Sequence, residues 1–448
     1  MRSVIERLFN VTGAGSTIKT ELAGGTTTFI TMSYIIFVQP AIMTSVGMDF
    51  GAVTAATCIA SCITIILMGL TANYPFALAP GMGLNVFFVF TVCLAVDQGG
   101  VGFTWQEALS GVFWAGILFL IAVIFGLHNK LIDIIPNNLK LGISAGIGLL
   151  ITMLGLEWAG IIIDNPATFV GLGDLRSTPV MLSIFGLLLT SVLLNRKIPG
   201  AVLLGILITS LVGIPFGILQ YEGLVSMPPS IGPTFFKLDL FGIFSRPEFI
   251  TVILLFFFID IFDTMGTLVG LSSFAGYFEG RRIPRAGRAL GSDATGTIIG
   301  ALLGTSTLTS YLESATGITA GARTGLANMA TGILMLASLF FYPLVRMIGG
   351  GYDNPEGITL YPSIAPVLII VGSLIVRSAA EIEWKNLGEA IPAFLTIIIM
   401  PTTFSITDGL AFGFISYAVI MLVSPKWKTI HPAVYILAIL FILRYILL

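Results

Sequence analysis

The sequence predicts an all-α polytopic membrane protein of fourteen transmembrane spans, arranged as two inverted sets of seven. Three observations predict it. Of 448 residues, 56% are apolar and only 10% are charged, with a mean hydropathy of +1.00; soluble domains carry about 25% charged residues. Apolar segments of bilayer-crossing length, or nearly so, follow one another with short breaks. Lys and Arg fall mostly on one side of the membrane those segments define.

The segments are expected near 24–44, 53–71, 77–96, 108–127, 140–158, 179–195, 199–219, 249–271, 289–304, 308–320, 323–347, 361–378, 388–404 and 407–423. A further apolar segment near 431–447 has no assigned path. With the N-terminus cytoplasmic, Arg2, Arg7, Lys19, Lys130, Lys140, Arg196 and Lys197 lie inside, as do Arg281, Arg282, Arg285, Arg288, Arg323, Arg377, Lys385, Lys426 and Lys428. Only Arg176, Lys237, Arg246 and Arg346 lie outside, with Arg444 unassigned. One missed span would scramble every later loop, so this bias also supports the span count.

The polar break Gln220–Glu248 divides the chain into halves, 1–225 and 226–448, of seven spans each. An odd number per half forces opposite orientations, the arithmetic of an inverted repeat. The third span of each half is broken. In the first, Pro80, Gly81 and Gly83 disfavour regular helix ahead of Asn85. In the second, Thr305, Thr307 and Thr309 favour an extended piece, after which Glu313 opens a half-helix. Paired interrupted segments point to a midplane binding site. A simple kink is the competing reading of the Pro/Gly run, and a structural anchor that of Glu313.

Span 8 carries two carboxylates, Asp260 and Asp263, in the apolar run Thr251–Leu271. An ionised side chain at that depth costs roughly 2.5–3.5 kcal/mol on insertion scales. Residues three apart are neighbours on a helix, so the pair is expected to share a face turned to protein or a wet cavity. Burial and a like-charged neighbour both favour a protonated carboxyl, which makes this pair the candidate for ion coupling.

Other features bound the function. The formal net charge of −2 gives no reason to expect nucleic acid. Cys58, Cys62 and Cys93 fall inside apolar spans and read as packing residues. His128 and His431 are isolated, so no metal is expected. The N-terminal residues resemble no cleavable signal peptide. Gly13–Thr17 lacks the Gly-Lys-Ser/Thr ending of a phosphate loop. Gly296, Gly300 and Gly304 form a small-residue stripe for close helix packing, as do Gly142 and Gly146. Arg281–Arg285 reads as a topology anchor, and Arg323 either as a cap on span 10 or as a residue near the cytoplasmic mouth.

Four runs in order carry a resemblance: Ala77–Asn85, Asp260–Thr267, Ile283–Leu290 and Gly304–Gly325 with Tyr311-Leu312-Glu313-Ser314 inside it. Through them nearly the whole chain resembles the AzgA-like purine permeases of the nucleobase:cation symporter-2 family. Val86 and Leu308 depart from the family's pattern without removing a charged residue. The resemblance implies a core domain from 20–127 and 249–347 and a gate domain from 140–219 and 361–423. It implies short strands in spans 3 and 10, inward transport of purine bases with a coupling cation, usually a proton, and a homodimer in the cell membrane. Its functional positions fall on Asn85, Asp260, Asp263 and Glu313.

The chemistry fits. Guanine and hypoxanthine present N1–H and an imidazole N–H, and guanine adds an amino group. Glu313 and Asp263 can accept from these edges by charge-assisted bonds. Asn85 can serve the remaining carbonyl or ring nitrogen. Extended backbone near Leu84 and near Leu312 is expected to add main-chain contacts, and Ser314 is a further candidate for the substrate site. Asp260 and Thr267 support the site, and Phe87 or Phe262 stacks on the base. An intramembrane aspartyl protease is disfavoured because both Asp residues sit on one helix. An anion transporter is disfavoured by three carboxylates. An adenine-preferring permease stays open. No cofactor beyond a coupling ion is expected.

Overall fold

The computed structural model describes residues 2–96, 100–127, 136–246, 248–277, 283–354, 357–424 and 430–447. His128, Lys130, Arg281, Arg282, Lys426 and Lys428 lie outside these. A short helix, Arg2–Phe9, precedes span 1, which is two helices, Ile18–Met32 and Ile35–Thr44. Span 2, Phe50–Thr71, starts where the Asp49 carboxylate accepts the Ala52 N–H at 2.7 Å. Span 3 begins as strand β1, Leu78–Pro80, and turns helical at Met82–Val86, then π-helical over Phe87–Cys93. Span 4, Trp105–Ile124, opens on a capping box of Thr104 and Glu107. Spans 5, 6 and 7 are Asn137–Trp158, Thr178–Asn195 and Ala201–Gly213, with an antiparallel hairpin of β2, Ile162–Asn165, and β3, Phe169–Leu172, after span 5.

The second half repeats the plan. Span 8 is Phe249–Ala275 and span 9 is Ala286–Leu303. Span 10 is strand β4, Leu308–Ser310, followed by the half-helix Ser314–Thr319. Span 11 joins Leu326–Ala337 to Tyr342–Gly349 through a 3-10 turn. A small hairpin of β5, Tyr352–Asp353, and β6, Thr359–Leu360, leads to span 12, Ala365–Ile375. Spans 13 and 14 are Leu387–Thr403 and Ile406–Leu422. Among the described residues, seven of the fourteen are long and apolar enough to cross a membrane by themselves; of the others, span 9 has the length, at 18 residues, but is less apolar, and the rest are shorter or interrupted. The C-terminal segment is a helix, Pro432–Leu447, that packs on span 14, with the Phe414 and Phe441 rings 6.0 Å apart.

Helix neighbours come in mirrored pairs. Span 1 packs on span 11, and span 8 on span 4. Span 2 packs on span 11, and span 9 on span 4. Span 5 packs on span 13, and span 12 on span 6. Each pair becomes its mate when every span is exchanged for its counterpart in the other half, as an inverted repeat requires. Spans 1, 2, 4, 8, 9 and 11 thus form one helical group and spans 5, 6, 7, 12, 13 and 14 a second.

The halves join at the centre. β1 and β4 pair antiparallel, Leu78 opposite Ser310, Ala79 opposite Thr309 and Pro80 opposite Leu308. Gly81 N–H donates to the Thr307 carbonyl at 3.0 Å, and Tyr311 N–H to the Ala77 carbonyl at 2.9 Å. Backbone lacking helix bonds survives here because each strand serves the other inside protein. Close helix approach uses the small-residue stripes. A β-carbon on Gly296 would lie 2.1 Å from Thr64 Cγ2 of span 2, and one on Gly146 would lie 3.0 Å from the Thr396 carbonyl of span 13.

Candidate substrate and coupling site

Span 8 brings Asp260 and Asp263 to the strand crossing but separates their roles. A step of three residues turns a helix by about 300°, roughly 60° short of a full turn, so the two carboxylates are neighbours whose surroundings differ. Asp260 is fully buried, and its Oδ2 accepts from Thr297 Oγ1 of span 9 at 3.1 Å. Its Oδ1 finds no protein partner among the described residues. Asp263 is exposed, with Thr309 of β4 beside it. Gly266 and Gly270 continue its face; a β-carbon on Gly266 would meet nothing within 4 Å. The same face stays exposed to Ser273 and Phe274. This cleft therefore opens at the ends where spans 8 and 9 connect. In the other direction Phe256 is buried edge-on against Phe87, with ring centroids 4.8 Å apart.

Glu313 stands at the N-terminus of the span 10 half-helix, as its position after the Thr-rich strand predicts. It is half-buried, and its Oε1 accepts the Tyr34 hydroxyl of span 1 at 2.7 Å. Asp263 and Glu313 lie close enough for their charges to interact. Asn85 is fully buried in the opposing half-helix, where its Oδ1 accepts from Ser306 Oγ. Asn85 Nδ2 has no partner among the described residues. Gln39 of span 1 donates to Thr305 Oγ1 at 3.1 Å and Ser306 Oγ at 3.3 Å, extending the same polar centre.

Two expectations need correction. The extended backbone stops short of Leu84: the strand ends at Pro80, and Leu84 is buried within the helix Met82–Val86. Leu312 lies beyond β4, in the turn before the half-helix, and its side chain is 57% exposed beside Gly270. Asp260 has a carboxylate neighbour besides Asp263, namely Asp293 of span 9. Ser314 is buried, and its hydroxyl accepts the Ala77 N–H at 2.9 Å, so it also ties the two strand segments together. Thr267 is buried one turn beyond Asp263. Phe87 packs in the interior, whereas Phe262 is half-buried beside Asp263 and parallel to Phe258.

Asp293 escaped the sequence reading. Its Oδ1 accepts from Thr264 Oγ1 at 2.8 Å and its Oδ2 from Ser310 Oγ of β4 at 3.3 Å. The signal was present, a lone carboxylate within the apolar run 289–304. Tyr34 was missed because nothing local marks a tyrosine whose partner lies 279 residues away. Arg323 does cap span 10, its Nη1 donating to the Ile318 and Ala322 carbonyls at 2.7 Å. Buried Glu21 accepts the N–H groups of Arg323 and Thr324 at 2.9 and 3.2 Å.

Comparison with known proteins places this architecture. A model of the xanthine/uracil type, described as a permease family, matches residues 19–412. The chain is 48% identical to a putative permease of Methanocaldococcus jannaschii, over 99% of this chain and 98% of that one. It is 43% identical to the guanine/hypoxanthine permease PbuG of Bacillus subtilis, over 99% and 100%. It is 41% identical to the adenine permease AdeP of Escherichia coli, over 99% and 96%. Among solved structures, the transmembrane domain of the cyanobacterial bicarbonate transporter BicA shares the fold, with a TM-score of 0.63, 15% identity, and coverage of 89% of this chain and 97% of that one. The chain belongs to the xanthine/uracil permease family within the nucleobase:cation symporter-2 group, as a multi-pass membrane permease and not an enzyme.

Proposed function

We propose that the protein imports guanine and hypoxanthine across the cytoplasmic membrane by proton symport. The observation that carries this reading is the pair Asp263 and Glu313 at one open cleft beside the β1–β4 crossing. Two carboxylates suit a flat neutral base with N–H donors on two edges. Tyr34 occupies Glu313 Oε1, which leaves Oε2 for N1–H and the guanine amino group. Asp263 takes the imidazole edge, and Phe262 stacks on the ring. Asn85 Nδ2, buried without a protein partner, orders the water or carbonyl nearest the crossing.

Coupling falls to Asp260 and Asp293. Two buried carboxylates side by side are costly unless a proton lies between them. Both are tied to span 10: Asp293 through Ser310, and Asp260 through Thr297, whose hydroxyl also lies 3.2 Å from the Leu308 carbonyl. Gain or loss of that proton is thereby linked to the strand that shapes the substrate site. With the N-terminus cytoplasmic, the cleft faces inward. Transport then moves the core, 20–127 and 249–347, against the gate, 140–219 and 361–423.

An adenine-preferring permease is the second reading, because a relative 41% identical is an adenine permease. Adenine lacks N1–H, so Glu313 would meet only its amino group. Uptake of labelled hypoxanthine, competed with guanine, adenine, xanthine and uracil, separates the two. Guanine is expected to compete strongly and adenine weakly. Strong adenine competition favours the second reading.

A further inference from the structure

At the opposite end of the spans from the Asp263 cleft lies a second cavity of about 660 Å³. It sits where the two helical groups meet. Phe50, at the start of span 2, and Tyr342, in span 11, line it from one group, and Trp158, at the end of span 5, and Tyr361, before span 12, line it from the other. The Phe50 and Tyr342 rings are 6.5 Å apart. The Trp158 and Tyr361 rings are 4.2 Å apart, and Tyr361 N–H donates to the Trp158 carbonyl at 2.9 Å. Asp353 and Arg346 also line the space. Asp353 is exposed and accepts the Thr359 hydroxyl at 2.6 Å; Arg346 pairs loosely with Glu222, at 3.6 Å.

This volume is in the range of small-molecule sites. Aromatic rings on both walls offer stacking surface, which accepts any flat base. A carboxylate and a guanidinium offer an acceptor and a donor, matching the N–H and C=O edges of an oxopurine. No excess of positive charge favours an anion here.

We propose that this cavity is an outer docking site, where a flat oxopurine base is held between the two helical groups before it reaches Asp263 and Glu313. The substrate class rests on the function proposed above. The two sites lie at opposite ends of the same seam, so alternating access joins them in sequence. The outer site binds weakly, because its polar groups are already partnered and water-exposed.

The test is equilibrium binding of labelled hypoxanthine to the purified full chain. The wild-type chain is expected to show a tight class and a weak class of sites. Asp263→Asn should abolish the tight class and keep the weak one. The double variant Tyr342→Leu/Asp353→Asn should weaken the second class by roughly tenfold or more, the value of a lost stacking contact, while keeping the tight class. That retained class shows that the double variant is folded. A single class in the wild type, with no binding by Asp263→Asn, overturns the outer site alone. A weak class untouched by the double variant overturns it too. Absence of all hypoxanthine binding by the wild type overturns the function proposed above and this site together.

Discussion

Asp260 of span 8 and Asp293 of span 9 are clasped reciprocally. Thr297, one turn beyond Asp293, donates to Asp260, and Thr264, one turn beyond Asp260, donates to Asp293. Two antiparallel helices each carrying Asp-x-x-x-Thr produce this exchange, since i and i+4 share a face. It fixes the register of span 8 on span 9 and holds two carboxyl groups together away from water.

Removing one member of that clasp should uncouple transport. Asp293→Asn keeps the shape and the Thr264 bond but removes the second carboxyl. Counterflow of labelled hypoxanthine is expected to persist, while accumulation driven by an acidic exterior is lost. Accumulation at the wild-type level would rule out this coupling site.

Tyr34 orients Glu313. Tyr34→Phe removes one hydrogen bond to a charged group, an effect of about 1.5–3 kcal/mol. Uptake should show a KM raised roughly tenfold or more, with kcat little changed and protein levels normal. An unaltered KM would show that Glu313 needs no such partner.

Glu21 has a purely structural task. Glu21→Ala leaves two N–H groups, of half-buried Arg323 and buried Thr324, without their acceptor. Each orphaned group costs about 1–3 kcal/mol. The thermal midpoint of the purified protein should fall by several degrees. Conservative Glu21→Gln should recover part of the loss, because its carbonyl still accepts.

Gly296 permits spans 2 and 9 to touch. Gly296→Val puts side-chain atoms where Thr64 stands. Overpacking of this kind typically costs about 1–3 kcal/mol, and the membrane-inserted yield should drop sharply. Gly296→Val combined with Thr64→Ala should restore part of it, which a general intolerance of valine at that position would not.

Much of this protein was legible because a bilayer allows few solutions. Span boundaries followed from apolar length, and the inverted plan from counting spans about the Gln220–Glu248 break. The paired breaks at Pro80–Gly83 and Thr305–Thr309 located the centre. Contacts that depend on helix rotation were not legible. Asp260 and Asp263 are neighbours on span 8, as a three-residue step makes them, but the further neighbour Asp293 of Asp260 comes from span 9 and no local pattern announces it. Pro80, Gly81 and Gly83 were expected to keep the backbone irregular up to Asn85, but the helix starts directly after Gly81. Tyr34 and Glu313 meet only through tertiary packing, which no local pattern encodes.

Proteoliposome uptake of labelled hypoxanthine under an inward proton gradient, comparing wild type with Asp263→Asn, tests the central claim most directly. The wild type should concentrate the base and lose that capacity when an ionophore collapses the gradient, and Asp263→Asn should neither bind nor accumulate it. Proton-driven accumulation by Asp263→Asn at the wild-type level would contradict the assignment.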